Sequence, residues 1–393
     1  MILSNKSLLI VILFSLSIAP AIFLGEGNRN LLLIGVIFIT PIFLLKILKI
    51  EKIDILFFLM FLIMLLVPYI VNTETYRIST VLYSGLFGFL FITYKQLLNN
   101  SDFTIDTYLK LIKFIIYAYF IVLLIQQFCV LTGLPIFNIS NYEQANPWKL
   151  NSLSAEPSHT GRIVPLLMFS YIVIKEFIEN RKYSLSLDFT NDKYLWFAFS
   201  WIIFTSGSAT AYLFFILIFL KFLSLKNSIY LCILILLLIG VINFFEINSY
   251  QRTLDFFMAV LTLDINKMMA VDHSASIRIA PLVVVFNNIT ATNINGLFGN
   301  GIDTTSNLIS KYIYGIPDDL VGGGTFQLWY EYGFIVFILF IIYTFFNIYD
   351  KNNNTNILFW FLLVFIAGIN SQMVWLCMVL LYTNKYFKNR GTI

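Results

Sequence analysis

GLFGNGIDTTSN (Gly296–Asn307) and GIPDDLVGGGT (Gly315–Thr325) close the one long polar interval of a chain that is otherwise apolar. The interval runs from Glu246 to Thr325 and holds Arg252, His273 and Arg278. Loops of this length are uncommon in compact proteins unless they are functional or disordered. IRIAPLVVVF (Ile277–Phe286) makes this one too aliphatic for disorder. It reads as a folded cap on a membrane bundle and as the place where chemistry gathers.

Outward from that interval, apolar runs of about 18 residues alternate with short polar connectors. Of 393 residues, 59% are hydrophobic and 12% charged, which is the composition of a polytopic membrane protein. Spans are expected near 7–24, 31–48, 55–71, 78–94, 109–132, 159–178, 194–205, 208–225, 228–245, 326–348, 356–369 and 372–384. The organisation follows: 1–245 with nine spans and an outer loop at 133–158, the cap at 246–325, and 326–393 with three spans and a tail. Ala19-Pro20-Ala21 has the small residues of a signal-peptide cleavage site, but its proline disfavours cleavage and the segment is taken as the first span. Cys129, Cys232 and Cys377 each lie in an apolar run, which argues against a disulfide framework or a zinc cluster. A net charge of +4 is too small to suggest nucleic-acid binding.

Two apolar stretches are broken by polar residues, Thr205-Ser206-Gly207-Ser208 and Gly368-Ile369-Asn370-Ser371-Gln372. Each is one long tilted helix or two short spans, and charge decides between them. Twelve crossings with both termini inside place fifteen lysines and two arginines on the cytoplasmic side. A continuous helix at either break would move every later charge to the wrong side. The 133–158 connector and the 246–325 interval are then extracytoplasmic. Three lysines remain outside (Lys149, Lys267, Lys311) with five arginines (Arg29, Arg77, Arg162, Arg252, Arg278). Any cation satisfies topology, but arginine's planar fork suits phosphate and carboxylate. The outer face therefore reads as built for an anionic ligand, or its arginines pair with outer acidic residues.

Four patches stand out. In Ser154-Ala155-Glu156-Pro157-Ser158-His159-Thr160-Gly161-Arg162, Ser158 or Thr160 can cap a helix that Pro157 starts. Glu156, His159 and Arg162 would then share one face at the outer surface. The kink Thr205–Thr210 has small residues that permit close helix contact. His273 and Arg278 are followed by Gly299-Asn300-Gly301, whose N–H groups can approach an anion. Gln327 and Glu331 lie four apart at the start of the 326–348 span, and a carboxylate there is expected to pair with an outer arginine.

Together these patches resemble the bacterial O-antigen polymerase and ligase superfamily, specifically Wzy-type polymerases of lipid-linked oligosaccharide repeat units. The likeness rests on Glu156-Pro157-Ser158 ahead of a span, the Thr-Ser-Gly-Ser-Ala-Thr kink, Arg278 with the Gly-Asn-Gly turn, and Gln327-x3-Glu331-x-Gly333. It covers the chain from about residue 120 onward, largely as topology. Ligases of the superfamily carry a His-Asn pair where this sequence has Gly322 and Gly323, which moves the reading toward polymerase.

The resemblance implies an all-α, GT-C-like membrane protein of 10–12 transmembrane helices with one large extracytoplasmic loop. It implies joining of glycan repeats carried on undecaprenyl pyrophosphate at the outer face of the cytoplasmic membrane, with no cofactor. A chain-length regulator protein is an expected partner. Arg278, His273 and Glu156 would be catalytic, and Arg162, Arg252, His159, Gly299, Gly301, Gln327 and Glu331 would bind pyrophosphate or glycan. No metal-ligand spacing is present, so arginines would stabilise the leaving pyrophosphate. Glu156 or His273, with Glu331 behind them, would take the acceptor's proton. A flippase for the same lipid-linked sugars is the alternative of another class. It is disfavoured by the absence of a repeat and of mid-span charges.

Overall fold

The computed structural model describes residues 4–19, 23–24, 27–28, 31–44, 50–138, 147–206, 208–222, 255, 258–271, 273–313, 322–351 and 353–391. Helices carry almost all of it. The membrane-bundle helices before the cap are α1 Asn5–Ser17, α2 Leu31–Leu44, α3 Asp54–Val71, α4 Ile78–Asn99, α5 Ile105–Thr132, α6 Pro157–Ile178, α7 Leu185–Asn191, α8 Lys193–Thr205 and α9 Ala209–Leu220. The cap supplies α10 Ile265–Val271, α11 His273–Asn288, α12 Ile294–Phe298 and α13 Thr304–Tyr312. After it come α14 Gly324–Tyr332, α15 Phe334–Ile348, α16 Thr355–Trp360 with a π-helical turn Phe361–Phe365, and α17 Gln372–Arg390. The one β pairing among the described residues joins Phe23–Leu24 to Gly27–Asn28.

Among the described residues, α3, α4 and α5 are long and apolar enough to cross a membrane. α3 is apolar all round. Phe57, Met60, Met64 and Pro68 face the core, while Ile55, Leu59, Leu62, Leu66 and Ile70 are exposed at helical spacing on the other side. α5 exposes Phe114, Ile121, Ile125 and Phe128 in the same way, and α8 exposes Tyr194, Phe197, Trp201 and Phe204. Water would oppose such stripes, whereas hydrocarbon would cover them. The two least exposed long helices are α6 and α17. Ile163–Ile174 of α6 and Met373–Leu381 of α17 are buried throughout; α5, α8 and α9 pack on α6, and α1, α4, α15 and α16 on α17.

Both broken stretches fold back on themselves. Phe204 packs against Tyr212, Phe199 against Phe215 and Trp196 against Phe219, so residue numbers rise along α8 as they fall along α9. Likewise Asp350 meets Lys388 while the Phe359 carbonyl meets the Cys377 thiol, so α16 runs antiparallel to α17. The second break is held by many bonds. Gln372 Nε2 donates to the carbonyls of Leu16 and Ile18, Trp375 Nε1 donates to Ile369, and Ser84 Oγ donates to Asn370 Oδ1. The two halves of each stretch are thus antiparallel neighbours, as the charge pattern requires.

Two expectations change. The 326–348 segment is not one helix: Gly333, at φ 92, separates α14 from the apolar α15. A Cβ at Gly333 would collide with the Leu297 carbonyl, so the cap's α12 packs into the break itself. The 356–369 span shortens to the apolar helix Thr355–Phe365, α-helical to Trp360 and π-helical beyond it. The 228–245 span lies outside the described residues.

The interval 246–325 contains a folded cap. Ala280, Val284 and Val285 of α11 pack on Leu308, Ile309 and Ile313 of α13, with Phe326 and Tyr330 of α14 beneath. This small core sits apart from the bundle core and docks the cap on α14.

Candidate functional site

The first cluster is built at the start of α6. Glu156 is the N-cap residue in extended backbone (φ −139°), and Pro157 opens the first turn with its fixed φ. Ser158 Oγ donates to Glu156 Oε2 at 3.0 Å. Arg162 reaches back one turn, its Nε donating to the Ser158 carbonyl at 3.0 Å and Nη2 to Ser158 Oγ at 3.4 Å. Carboxylate, hydroxyl and guanidinium therefore form a chain on one face of the helix. Glu156, His159 and Arg162 are all half-buried, while Ser158 is buried. Neither Ser158 nor Thr160 caps the helix, contrary to the expectation. Thr160 Oγ1 instead donates to the Asn151 carbonyl at 2.5 Å and contacts Ser154 Oγ at 2.6 Å.

Beneath this face lies a buried amide network that the sequence reading missed. Asn151 Nδ2 donates to the carbonyls of Asn138 and Ser154, each at 2.6 Å, and Gln126 Nε2 donates to Asn151 Oδ1 at 3.2 Å. Gln126 Oε1 accepts from the Ser152 N–H at 2.8 Å. The available signal was Gln126-Gln127, two amides inside an otherwise apolar helix. The kink joins the same cluster. A Cβ on Gly161 would stand 2.8 Å from the Ala211 nitrogen, so α6 and α9 approach backbone to backbone, and Thr210 Oγ1 donates to the Ser158 carbonyl at 3.3 Å.

The second cluster centres on Glu331, which is 2% exposed. It sits on α14, outside the apolar α15 and under the cap. Its Oε1 accepts from Gln327 Nε2 at 3.1 Å and from the Thr305 N–H at 3.3 Å, so its carboxyl caps α13 from another helix. Among the described residues Glu331 has no ion-pair partner, and the outer Arg252 and the side chain of Arg278 lie outside them. Burial pushes its carboxyl up to about 7, against the lowering effect of the two hydrogen bonds. Arg77 pairs instead with Asp303 at 3.5 Å.

Gly299-Asn300-Gly301 is not an anion nest. The Asn300 and Gly301 N–H groups donate to the carbonyls of Tyr330 (2.7 Å) and Glu331 (3.2 Å), and the Gly299 N–H donates to Asn295. The turn therefore satisfies the last carbonyls of α14. A Cβ on Gly299 would strike the Glu331 carbonyl, and one on Gly301 would strike Thr75. These glycines allow the cap, α14 and the α3–α4 turn to meet.

His273 and Arg278 lie on α11, but the placement of their side chains is outside the described part, and Arg252 is outside it altogether. Among the described residues, no three His, Cys, Asp or Glu side chains converge as a metal site needs. Cys129 and Cys377 are buried free thiols, and Cys232 lies outside the described residues.

At the opposite end of the bundle, lysines read from the sequence as topology signals form ion pairs. Lys95 is completely buried against Asp54, with Glu51 Oε2 at 3.2 Å and Asn347 Oδ1 at 3.1 Å. It also sits over the rings of Phe91, Tyr343 and Tyr382. Lys113 and Lys175 both reach Asp192, and Lys221 reaches Glu176. These contacts bind α3, α4, α15 and α17, and separately α5, α6, α8 and α9, at one end.

No family model matches the chain, and neither a curated protein nor a solved structure matches it.

Proposed function

We propose that the chain is a membrane glycosyltransferase of 10–12 spans that polymerises polyprenyl-pyrophosphate-linked oligosaccharide repeat units at the outer face of the cytoplasmic membrane. The observation that carries this reading is the Glu156–Ser158–Arg162 chain at the N-terminus of α6. It sets a carboxylate and a guanidinium beside a helix N-terminus, where an anion is favoured. In the proposed step, an acceptor hydroxyl attacks the anomeric carbon of the donor glycan. The bond from that carbon to the pyrophosphate oxygen breaks, and its electron pair stays on the pyrophosphate. Glu156 takes the hydroxyl proton, and Arg162 faces the charge that develops. Arg278 and Arg252, with His159 and His273, are assigned by resemblance to the same pyrophosphate and acceptor. The apolar stripes of α3, α5 and α8 would face the lipid and its polyprenyl chain.

The ligase alternative meets a packing objection. A Cβ on Gly322 would strike Pro281, and Gly323 adopts φ 109° against Val285. The His-Asn pair of ligases could not stand there without moving α11 away from α14.

The test is deletion of the gene followed by analysis of lipid-linked glycans, with Glu156→Gln as the point variant. Single repeat units on their carriers at the outer face are expected in both. Unflipped units retained on the cytoplasmic side would refute the polymerase in favour of transport.

A further inference from the structure

The cap contains a second concavity, separate from the start of α6. It is a cavity of about 120 Å³ between the end of α11, α12 and the last turn of α14. Its polar walls are the amides of Asn288, Asn293, Asn295 and Asn300 with the hydroxyl of Thr290, and Trp329 and Tyr330 line it from α14. Among the described residues no Asp, Glu, Lys or Arg lines it.

Some of this amide set is committed to the fold. Asn293 Oδ1 accepts from the Gly296 N–H, Asn300 Nδ2 donates to the Tyr330 carbonyl, and Asn288 bonds to Val284 and Tyr312. Trp329 Nε1 donates to the Gly296 carbonyl, which fixes the indole at the cavity edge. The remaining groups are Asn293 Nδ2, Asn300 Oδ1, the whole Asn295 amide and the Thr290 hydroxyl. They are paired donors and acceptors on rigidly held backbone, with an aromatic surface beside them. Adjacent sugar hydroxyls need that combination: each gives and accepts a hydrogen bond, while the apolar face of the ring lies on an aromatic side chain. An anion would find no cation among the described lining residues, and an apolar ligand would strand the amides. At about 10–15 Å³ per water position the cavity holds several waters, the footprint of one ring rather than of a chain.

We infer that this cavity is a binding site for one uncharged sugar residue, a neutral hexose, deoxyhexose or N-acetylhexosamine. On the polymerase reading, on which only its biological role rests, it holds a residue of the glycan away from the reacting bond.

The test is direct binding by the full-length protein in nanodiscs, read by saturation-transfer NMR. The probes are a panel of neutral hexoses, deoxyhexoses and N-acetylhexosamines, with glucuronic acid and glucose 1-phosphate as charged probes. At least one neutral sugar should bind with Kd on the order of 1–10 mM, the range for a single small ligand. The double variant Thr290→Ala/Asn295→Ala removes two exposed side chains that carry no side-chain hydrogen bond among the described residues. It should weaken binding about ten-fold or more at an unchanged melting temperature, whereas Lys311→Ala, elsewhere on the cap, should bind as wild type. Three results would each overturn the site: no transfer from any neutral sugar at about 50 mM, equal binding by the double variant, or preferential binding of the charged probes. Failure of the reaction reading looks different. Sugar binding would persist and be sensitive to the double variant, while gene deletion left the polymer ladder intact.

Discussion

Glu331→Gln tests how the cap is fastened. The side chain is buried, accepts two hydrogen bonds and has no described cation beside it. In the unfolded chain the carboxyl ionises near 4.5, and in the folded protein near 7. Between those values the folded state holds a proton that the unfolded state has lost, so ionisation opposes folding. The contribution is fully present below about 4.5, falls as pH rises, and is gone above about 7. A shift from 4.5 to about 7 is worth about 3 kcal/mol. Glutamine keeps the shape and the acceptor oxygen but cannot ionise. Glu331→Gln should therefore flatten the pH dependence from this site and stabilise the protein at pH 8 by about 2–3 kcal/mol. The assay is thermal unfolding in detergent, followed by size-exclusion of a fluorescent fusion, for both proteins at pH 5 and pH 8. Wild type should lose stability toward pH 8 and the variant should not. A variant less stable than wild type at pH 8 would refute the reasoning, because it would mean that a cation neutralises Glu331 after all.

Lys95→Met should destabilise by about 3–5 kcal/mol, because it leaves Asp54 buried without its counter-ion, and adding Asp54→Asn should recover most of the loss in melting temperature. Arg278→Lys should be inserted at normal levels yet lose about 10²–10³ in polymerisation rate if both arms of the guanidinium hold pyrophosphate, while Lys311→Ala on α13 should make wild-type chain lengths on a glycan gel. Reporter fusions at Lys182, Lys226 and Asn353 should report the cytoplasm, and those at Asn146 and Asp264 the outside. Lys182 and Lys226 on opposite sides would collapse the α8–α9 hairpin reading.

Much of the helical framework was legible because hydrocarbon and a protein core both demand apolar runs. The boundaries of α3, α5 and α6 fall within a few residues of the expected spans. The two breaks were legible because polar residues interrupt apolar runs and charge sidedness forbids continuation. Gly333 was not, since it sits between Tyr332 and an apolar run that would continue a helix. What breaks the helix there is α12, about 35 residues earlier, pressed against the glycine; hydropathy has no access to that contact. The role of Gly299-Asn300-Gly301 was hidden for the same reason. A turn whose N–H groups cap another helix has the same sequence as one whose N–H groups wait for an anion.

Lys95 shows the matching blind spot for charge. In Phe91-Ile92-Thr93-Tyr94-Lys95-Gln96-Leu97-Leu98 it stands near a helix end, where lysine normally reaches water and marks the inner side. Topology and burial are separate properties, and here both hold: the lysine lies at the lysine-rich end, yet is covered by Tyr343 and Tyr382 from two other helices. The cap end of the bundle divides its work differently. Glu331, expected from its position to pair with an outer arginine, fastens the cap through the Thr305 N–H, while no one of the amides beside Trp329 is reactive alone and none stands out in the sequence. Isolated residue types overvalue charge and undervalue clustered amides. At the start of α6, Glu156 accepts from Ser158 two residues away, and Arg162 reaches Ser158 across one helical turn, so local chain geometry brings the three together.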